Sequence, residues 1–420
     1  MKKAYKGHVI FTSESHKFDV FENSYVLVED GKVTGIQQQA PEGMDVVDWG
    51  DRLIIPGLVD LHFHAPQFPN IGLGLDKELL PWLEDYTFPT EAKFKDPAYA
   101  KDVYSAVVKM LWRNGTTRAV LFSSLHGETT DILMDLCHQA GIGAYVGKVN
   151  MDRNTPDFLV EETGQSIADT KAWIDRTGDK YPMVKPIITP RFVPTCSSEL
   201  MNELGKMAAE MDLPIQSHIS ENLGEVEWVK DLHPEFDTYA DVYEGHGLWG
   251  DRTIMAHCVH NTNEEIKMMA KAGVMAAHCP NANNNLSSGV MPVRAFMEAG
   301  CKVGLGTDVG AGHKVSMAQV MSQAVQMSKL KWLESGKQLA PLTTAEAFYL
   351  GTKGGGSFFG KVGSFEPGFA FDALVIDDAG LSAGGQRSIE ERLQRFIYCG
   401  DDRNIITRYV EGKELNEPNF

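Results

Sequence analysis

The chain begins with a stretch in which apolar and polar residues alternate in short runs. Between Gly7 and about Val47 this alternation predicts short antiparallel strands, because successive side chains of a strand face opposite sides. Asp30-Gly31 separates two such runs and is typical of a hairpin turn. The stretch therefore predicts a small antiparallel sheet.

Similar strand-like runs return near the end of the chain, where they begin at Ala373, Phe396 and Ile405. The two ends of a chain often lie close together in space. We therefore expect residues 1–55 and 362–420 to form one small β-sandwich domain.

The pattern between these ends is different, since it contains eight apolar, strand-like runs, most of them followed by a helix-like stretch. The runs begin near Leu53, Thr116, Gly143, Val184, Pro214, Arg252, Gly273 and Lys302. The clearest helical patterns span residues 96–114, 129–140, 197–211, 263–272 and 293–299. Eight β/α units predict an α/β fold, a (β/α)8 TIM barrel over residues 56–361. A doubly wound open sheet is the alternative, because spacing does not reveal strand order.

Composition and charge narrow the classes of partner. With 420 residues, of which 43% are hydrophobic and 23% charged, the chain has ordinary globular values. It contains no apolar run long enough to span a membrane, and its first residues do not resemble a signal peptide. A formal charge of −18 argues against a nucleic acid or an anionic membrane as partner. The six cysteines form no Cys-x-x-Cys motif, which favours free thiols in a reducing cytoplasm.

Candidate chemistry is concentrated in the segment Pro56-Gly-Leu-Val-Asp-Leu-His-Phe-His-Ala-Pro-Gln, which contains His62 and His64. The apolar run from Leu53 to Phe63 predicts a buried strand, and alternate residues of a strand face the same side. Both imidazoles can therefore point at one object, most simply a metal ion. The alternative is that one or both are hydrogen-bonded core histidines.

The other predicted strands also end in polar residues, and TIM-barrel chemistry occurs at the carboxyl ends of the strands. These ends carry Arg191, His218, Glu221, His257, His278 and Asp308. Three imidazoles and one carboxylate can hold one Zn²⁺ ion per chain, or Fe²⁺ in its place, and leave a position for water. The residues available for this role are His62, His64, His218 and Asp308. Such an ion lowers the pKa of water from roughly 15.7 to about 7; the alternative is four unrelated polar strand ends.

Glu221 follows His218 by three positions, so it can approach the ion only if the strand has ended and the loop turns back. There it would act as a general acid and base, whereas its alternative role is a carboxylate at a helix N-terminus. His257 could hydrogen-bond the water or the oxygen developing on a substrate, and His278 is expected to be structural. Lys185 lies near the start of strand four, the wrong end of a barrel for bridging two metals, so we expect a one-metal site.

Taken together, these residues and the segment that precedes His62 resemble the amidohydrolase superfamily. Within it, the chain is similar to the guanine deaminase family from about Leu53 to Ala345. The metal motifs specify only the superfamily, whereas Thr189-Pro-Arg-Phe and Tyr86-Thr-Phe-Pro are much more specific to that family. One departure is Asn281-Ala-Asn-Asn-Asn-Leu, where the family more usually has Ser, Asn and Leu; it concerns the loop after strand seven.

The resemblance implies hydrolytic deamination of guanine to xanthine and ammonia, a role in guanine catabolism, and a homodimer. In the implied mechanism, metal-activated water attacks C2 of guanine while Glu221 carries a proton from the water to N3. Asp308 accepts a proton and helps to deliver it to the departing ammonia, and His257 orients or stabilises the oxygen. The ligands His64 and His218 would border the substrate together with Glu221 and Asp308.

Substrate choice can be argued from Arg191, a rigid donor fork with no acceptor, which suits a purine carbonyl oxygen such as O6. Adenine has an amino donor there and would leave the fork unpaired, at a cost of about 1–3 kcal/mol. Gln67 offers a donor and an acceptor to the remaining edge. The alternatives are a surface ion pair for Arg191 and a helix cap for Gln67. Phe192 could cover a flat base; other aromatic residues nearby are more typical of packing, namely Phe68, Trp82, Tyr86 and Phe88.

Two other functions remain open at this point. The same metal centre could deaminate a pterin, an adenosine-like compound or a triazine, although Arg191, Phe192 and Gln67 favour guanine. A metal-free barrel could instead serve as a non-catalytic scaffold, but such a protein is expected to have lost ligands.

Overall fold

The structure, a computed structural model, describes residues 2–381 and 384–420. Its strands are β1 Lys2–Phe11, β2 Asp19–Glu29, β3 Lys32–Gln37, β4 Asp45–Pro56, β5 Leu58–His64, β6 Thr116–Phe122, β7 Gly143–Gly147, β8 Val149–Asn150, β9 Val184–Pro186, β10 Thr189–Pro190, β11 Ile215–Ile219, β12 Thr253–His257, β13 Met275–His278, β14 Lys302–Leu305, β15 Ala373–Ile376, β16 Ile405–Val410 and β17 Lys413–Glu414.

Its α-helices are α1 Leu79–Trp82, α2 Phe88–Glu91, α3 Pro97–Arg113, α4 Gly127–Ala140, α5 Thr163–Thr177, α6 Ser198–Glu210, α7 Leu223–Leu232, α8 Tyr239–Gly245, α9 Asn263–Ala272, α10 Pro280–Asn285, α11 Val293–Glu298, α12 Met317–Glu334, α13 Thr344–Tyr349 and α14 Ile389–Cys399. Short 3-10 or π segments are Ala65–Asn70, Leu83–Thr87, Ala92–Lys95, Val193–Thr195, Leu350–Gly354, Ser357–Phe359, Ala379–Leu381 and Asp402–Asn404. None of these described helices is both long and apolar enough to cross a membrane.

The two ends of the chain form one seven-stranded sheet in the order β17-β16-β15-β4-β1-β2-β3. It joins both ends because β15 pairs antiparallel with β4, Ala373 opposite Pro56. The sheet curls on itself: the ring centroids of Tyr5 on β1 and Tyr409 on β16 lie 4.9 Å apart, and the Tyr5 hydroxyl donates to Gly412 O. The layers of the expected sandwich are therefore two halves of one bent sheet, and the prediction of a single terminal domain is confirmed.

The predicted strand at Phe396 is wrong, since this residue lies in α14. The buried residues Ile389, Leu393, Phe396 and Ile397 recur at helical spacing and pack into the main core. Ser388 and Glu391 form a capping box at the start of the helix. The short apolar run that begins at Phe396 suggested a strand, but the helical period becomes clear only when the residues before it are included.

The central residues form a closed barrel of eight parallel strands. Two four-stranded sheets are present, β5-β6-β7-β9 and β11-β12-β13-β14. A bridge between Ile188 and Ile215 joins them on one side. On the other side Asp308 N donates to His62 O at 2.8 Å, and His64 N donates to Val309 O at 2.9 Å. The TIM-barrel prediction is confirmed, and the open-sheet alternative is excluded because the last strand returns to the first.

The first predicted strand was placed wrongly, because it contains two strands that belong to different sheets. β4 ends at Pro56 in the terminal sheet, and β5 begins at Leu58 in the barrel. Gly57 allows the crossing, since a Cβ atom there would lie 2.2 Å from the Thr117 hydroxyl oxygen. Residues on both sides of Gly57 are buried, so the apolar run shows no change of sheet.

The barrel is attached to the terminal sheet by a buried ion pair. Arg118 on β6 donates to both carboxylate oxygens of Asp372, at 2.7 and 3.3 Å. Asp372 also accepts a hydrogen bond from Glu411 N at 2.8 Å. Both charges are satisfied at the junction, which stabilises the position of the sheet against the strands that carry the site.

Candidate active site

The first barrel strand is irregular at the point where the histidine pair begins. Its register against β6 shifts between Asp60 and Phe63, so strict alternation is interrupted just before His62. Asp60 secures this irregularity by accepting hydrogen bonds from His62 N at 3.2 Å and from Thr307 N and Oγ1 at 3.0 and 2.6 Å. The end of the first strand is thereby tied to the segment that follows the last one.

The structure brings the four residues of the expected metal site together in one buried cluster. His62 Nε2 and His64 Nε2 lie 3.2 and 3.5 Å from Asp308 Oδ1. His64 Nε2 lies 3.0 Å from His218 Nε2. Each side chain comes from the carboxyl end of a strand or from the residues just beyond it, as the barrel geometry requires.

The protonation states of this cluster suit a divalent cation. Burial lowers the pKa of His64 and His218 well below the usual value, so both imidazoles are neutral. The Nδ1 of His218 donates to Arg191 O at 2.6 Å, which leaves its Nε2 lone pair free to bind. The buried Nε2 of His62 faces Asp308 Oδ1 at 3.2 Å without a well-aligned hydrogen bond.

Asp308 completes this donor set as a carboxylate. Burial alone would raise its pKa, but His62, His257 and Arg191 together hold the pKa below its usual value. Three neutral imidazoles and one carboxylate are a donor set that Zn²⁺ or Fe²⁺ accepts. The residues present therefore fit the ion that the sequence implied.

Glu221 reaches the cluster because the chain turns immediately after β11. Ser220 has a positive φ of 50°, and the carboxylate of Glu221 lies 3.4 Å from His257 Nε2. Ser288 Oγ donates to its other oxygen at 3.1 Å. Burial raises the pKa of Glu221 to about 7, so this carboxyl group can both accept and release a proton near neutral pH.

His257 is held beside Glu221 by a residue of the segment that departs from the family pattern. Its Nδ1 faces Asn283 Oδ1 at 2.9 Å, so Nδ1 is the donor. Burial opposes the charge on this imidazole, but Glu221 and Asp308 outweigh it and raise the pKa of His257. His257 can therefore donate from Nε2 toward an oxygen that gains negative charge.

A cavity opens beside these groups, and both polar and apolar side chains line it, as is usual for small-molecule sites. All residues expected to bind substrate line it: His64, Gln67, Arg191, Phe192, His218, Glu221 and Asp308. Trp82 also lines it, together with Leu79 and Leu83, and all three belong to one buried apolar cluster. These side chains give the cavity an apolar part beside the polar cluster.

Glu91 is a residue of this site that the sequence did not single out. Its carboxylate accepts hydrogen bonds from Gln67 Nε2 at 2.9 Å and from Arg191 Nη1 at 2.6 Å. Arg191 and Gln67 are 3% and 2% exposed, so Arg191 is not in a surface ion pair. Glu91 lies two residues after the Tyr86-Thr-Phe-Pro segment, which was the available signal. Its contacts span 24 and 100 positions of the chain and cannot be predicted from spacing.

Two other residues discussed from the sequence, His278 and Lys185, do not line the cavity. His278 is buried with neither ring nitrogen hydrogen-bonded, and burial lowers its pKa to about 3. Lys185 donates to Gly178 O at 2.9 Å, on the amino-terminal side of β9. Neither residue takes part in the cluster around His62.

The sequence matches the Amidohydrolase family over residues 53–415. Guanine deaminase of Dictyostelium discoideum is 40% identical and covers 98% of both chains, and that of Escherichia coli is 35% identical over 95% of this chain and 92% of its own. A solved guanine deaminase from C. acetobutylicum, with guanine bound in its active site, has 51% identity and a TM-score of 0.97, and the match covers 99% of this chain and 100% of that one. The chain therefore belongs to the amidohydrolase family and, within it, to the guanine deaminases.

Proposed function

We propose that the chain hydrolyses guanine to xanthine and ammonia, as a guanine aminohydrolase. One observation carries the proposal: the same cavity is lined by metal-type donors and Glu221 and by Arg191 and Gln67. The first set suits the activation of water, and the second suits the carbonyl edge of a purine. The likeness to guanine deaminases over nearly the whole chain supports the same conclusion.

The proposed ligands of one Zn²⁺ per chain, with Fe²⁺ as the alternative ion, are His62, His64, His218 and Asp308. When bound, the ion supplies a nucleophile by lowering the pKa of water from roughly 15.7 to about 7. The structural support is the buried Nε2 of His62, the facing Nε2 atoms of His64 and His218, and the ionised Asp308.

The remaining chemistry consists of two proton transfers made by the side chains of this cavity. Water adds to C2, and Glu221 takes its first proton and delivers it to ring nitrogen N3. Asp308 accepts the second proton and passes it to the amine, so that the C2–N bond breaks with loss of ammonia. His257 hydrogen-bonds the oxygen that stays on C2. Atoms balance, since guanine and water become xanthine and ammonia.

Arg191 and Gln67 select the base. The guanidinium donates to O6 of guanine, and the Gln67 amide serves the neighbouring positions of the ring. Adenine places an amino donor against Arg191, and an unpaired buried donor costs about 1–3 kcal/mol. Phe192 and Trp82 cover the flat face of the base, because both line the cavity.

The setting of this activity is also part of the proposal. We propose a homodimer that works in the cytoplasm in guanine catabolism; the family resemblance supports the dimer, and free cysteines support a reducing compartment. We retain the division into residues 1–55, 56–361 and 362–420, which is supported by the crossing between sheets at Gly57.

A spectrophotometric assay of guanine conversion to xanthine tests the function, combined with metal analysis after mild purification. We expect turnover of guanine, little ammonia from adenine, cytosine or pterins, and one ion per chain. The matched control is the same protein after removal of the ion by a chelator. Ammonia from another base but none from guanine would contradict the substrate, and a metal-free protein would indicate a scaffold.

A further inference from the structure

Glu91 is a buried carboxylate that lies behind the substrate cavity and contacts two of its polar side chains. It ends α2 and is 5% exposed. Gln67 Nε2 donates to its Oε1 at 2.9 Å and Arg191 Nη1 to its Oε2 at 2.6 Å. Gln67 and Arg191 line the cavity, so Glu91 acts on a ligand only through them.

An ionised carboxylate accepts hydrogen bonds and donates none, which determines how the Gln67 amide is oriented. Gln67 must present its NH₂ group to Glu91, and its Oε1 accepts from Gly310 N at 3.3 Å. A flipped amide would set two oxygens against each other at Glu91 and two donors at Gly310. One N–H and one lone pair of Gln67 then remain in fixed directions for a ligand.

The Glu91 carboxylate also fixes the position of the Arg191 side chain and balances its charge. One N–H of its fork is used by Glu91, and the guanidinium carbon lies 5.4 Å from the ring centroid of Phe88. A buried guanidinium without a counter-charge is costly, and Glu91 supplies that charge. The remaining donors of the fork can therefore be offered to a neutral base.

We propose that Glu91 is a positioning residue that sets recognition of the O6 and N1 edge of the purine. It fixes the donor fork of Arg191 and the amide orientation of Gln67 at the same time. This inference rests on the proposed function for its substrate, but its test measures binding and needs no turnover.

The test is the affinity of Glu91→Gln for two ligands that lack the reacting amine, measured by titration calorimetry on the metal-loaded protein. Hypoxanthine carries the O6 and N1–H edge, and purine lacks it. We expect hypoxanthine binding to weaken about 10- to 100-fold, the loss of a hydrogen bond to a charged group. Purine binding should change less than about threefold, because the remaining walls of the cavity are unaffected.

A matched control is Glu346→Gln, which removes the carboxylate of another largely buried arginine pair. Glu346 accepts from Arg294 at 2.7 and 2.9 Å and does not line the cavity, so both affinities should stay at wild-type values. Glu91→Asp, which keeps the charge and shortens the reach, should show the same selective loss and replaces Glu91→Gln if that variant fails to fold.

Equal losses for both ligands, or none, would overturn the role of Glu91 as a specificity device. The outcome is separable from the function itself. If wild-type protein binds hypoxanthine and the variant does not, yet guanine gives no ammonia, the proposed reaction fails while the inference about Glu91 stands. If guanine is turned over and the ratio of the two affinities is unchanged in the variant, only the inference fails.

Discussion

At the scale of single residues, burial assigns different protonation states to two carboxyl groups of one cavity. Burial raises the pKa of Glu221 to about 7, although His257 and Ser288 oppose this rise. Asp308 faces imidazoles and a guanidinium, and its pKa falls below the usual value. Environments of this kind give Glu221 a proton affinity suited to exchange near neutral pH and keep Asp308 ionised in the resting protein.

Replacement of Glu221 by Gln tests this separation. The amide keeps the shape but cannot carry a proton, so we expect the metal content to stay at one ion per chain while kcat falls by about 100-fold or more. Metal analysis and steady-state kinetics on the same sample give the answer. A near-normal rate would mean that Glu221 serves only at the start of α7.

Replacement of Arg191 by Ala tests the recognition of the base. We expect guanine binding to weaken by at least about 10-fold without loss of metal. The contact between Arg191 and His218 is made by the backbone carbonyl, which this substitution leaves in place. Release of the ion from the variant would show that the side chain supports the metal cluster instead.

His278 makes the stability of the protein depend on pH. Its folded pKa of about 3 lies below the value of 6.5 for a free histidine, so the unfolded chain binds the proton first. Stability is therefore lost as the pH falls from about 6.5 towards 3, by about 1 kcal/mol per pH unit. Urea unfolding measures the free energy of unfolding at pH 7 and at pH 5. Between these pH values, it should fall by about 2 kcal/mol less in His278→Leu than in the wild type.

The control for this measurement is His16→Leu, which changes a histidine whose side chain is 69% exposed. Its unfolding free energy should fall between pH 7 and pH 5 as in the wild type. An identical fall in His278→Leu would mean that His278 gains a partner for its proton in the folded protein.

At the scale of helices and strands, the sequence predicted what local periodicity determines. The helix over residues 263–272 was predicted with the bounds of α9, and seven barrel strands were predicted to begin within two residues of their observed starts. The error at Leu53 arose where continuous burial conceals a change of sheet. Phe396 is apolar in either structure, and the helix is indicated by the spacing of the apolar residues before it and by the capping box.

The sequence predicted those residues of the candidate site that lie at the ends of barrel strands. His62, His64, His218 and Asp308 follow apolar runs, so barrel geometry alone brings them together. Glu91 follows no barrel strand, and its position depends on how the segment after β5 folds back over the cavity. Contacts of that kind depend on tertiary packing, which a period in the sequence does not encode.

The last and first strands of the barrel pack so closely that one added methyl group is expected to disturb them. A Cβ atom at Gly306 would lie 2.7 Å from the Cβ of His62 and 3.0 Å from Cys279 Sγ. We expect Gly306→Ala to displace the strand that carries His62, and so to lower the metal content below one ion per chain. Gly35→Ala is the control, because nothing lies within 4 Å of the added atom, and it should keep its metal. Full metal content in Gly306→Ala would show that the strand can move without disturbing the site.

At the scale of the whole molecule, the buried pair between Arg118 and Asp372 joins the barrel to the terminal sheet. Asp372→Ala leaves a buried guanidinium without its partner, so we expect the free energy of unfolding to fall by about 3–5 kcal/mol. Chemical denaturation measures this change. Asp175→Ala, which removes an exposed pair with Lys171, should cost about 0.5 kcal/mol or less. Equal costs for the two variants would mean that the junction does not depend on the charge.

The curled sheet has a consequence for how the protein is made. Tyr5 and Gly412 are 407 positions apart, and a ribosome that adds roughly 5–20 amino acids per second needs roughly 20–80 s to synthesise the chain between them. Until the segment with β15 emerges, β4 has one unpaired side that can associate with other nascent chains. Pairing of β4 with β15 therefore has to wait until most of the chain between them has been made, and the open side of β4 is an aggregation risk during that interval.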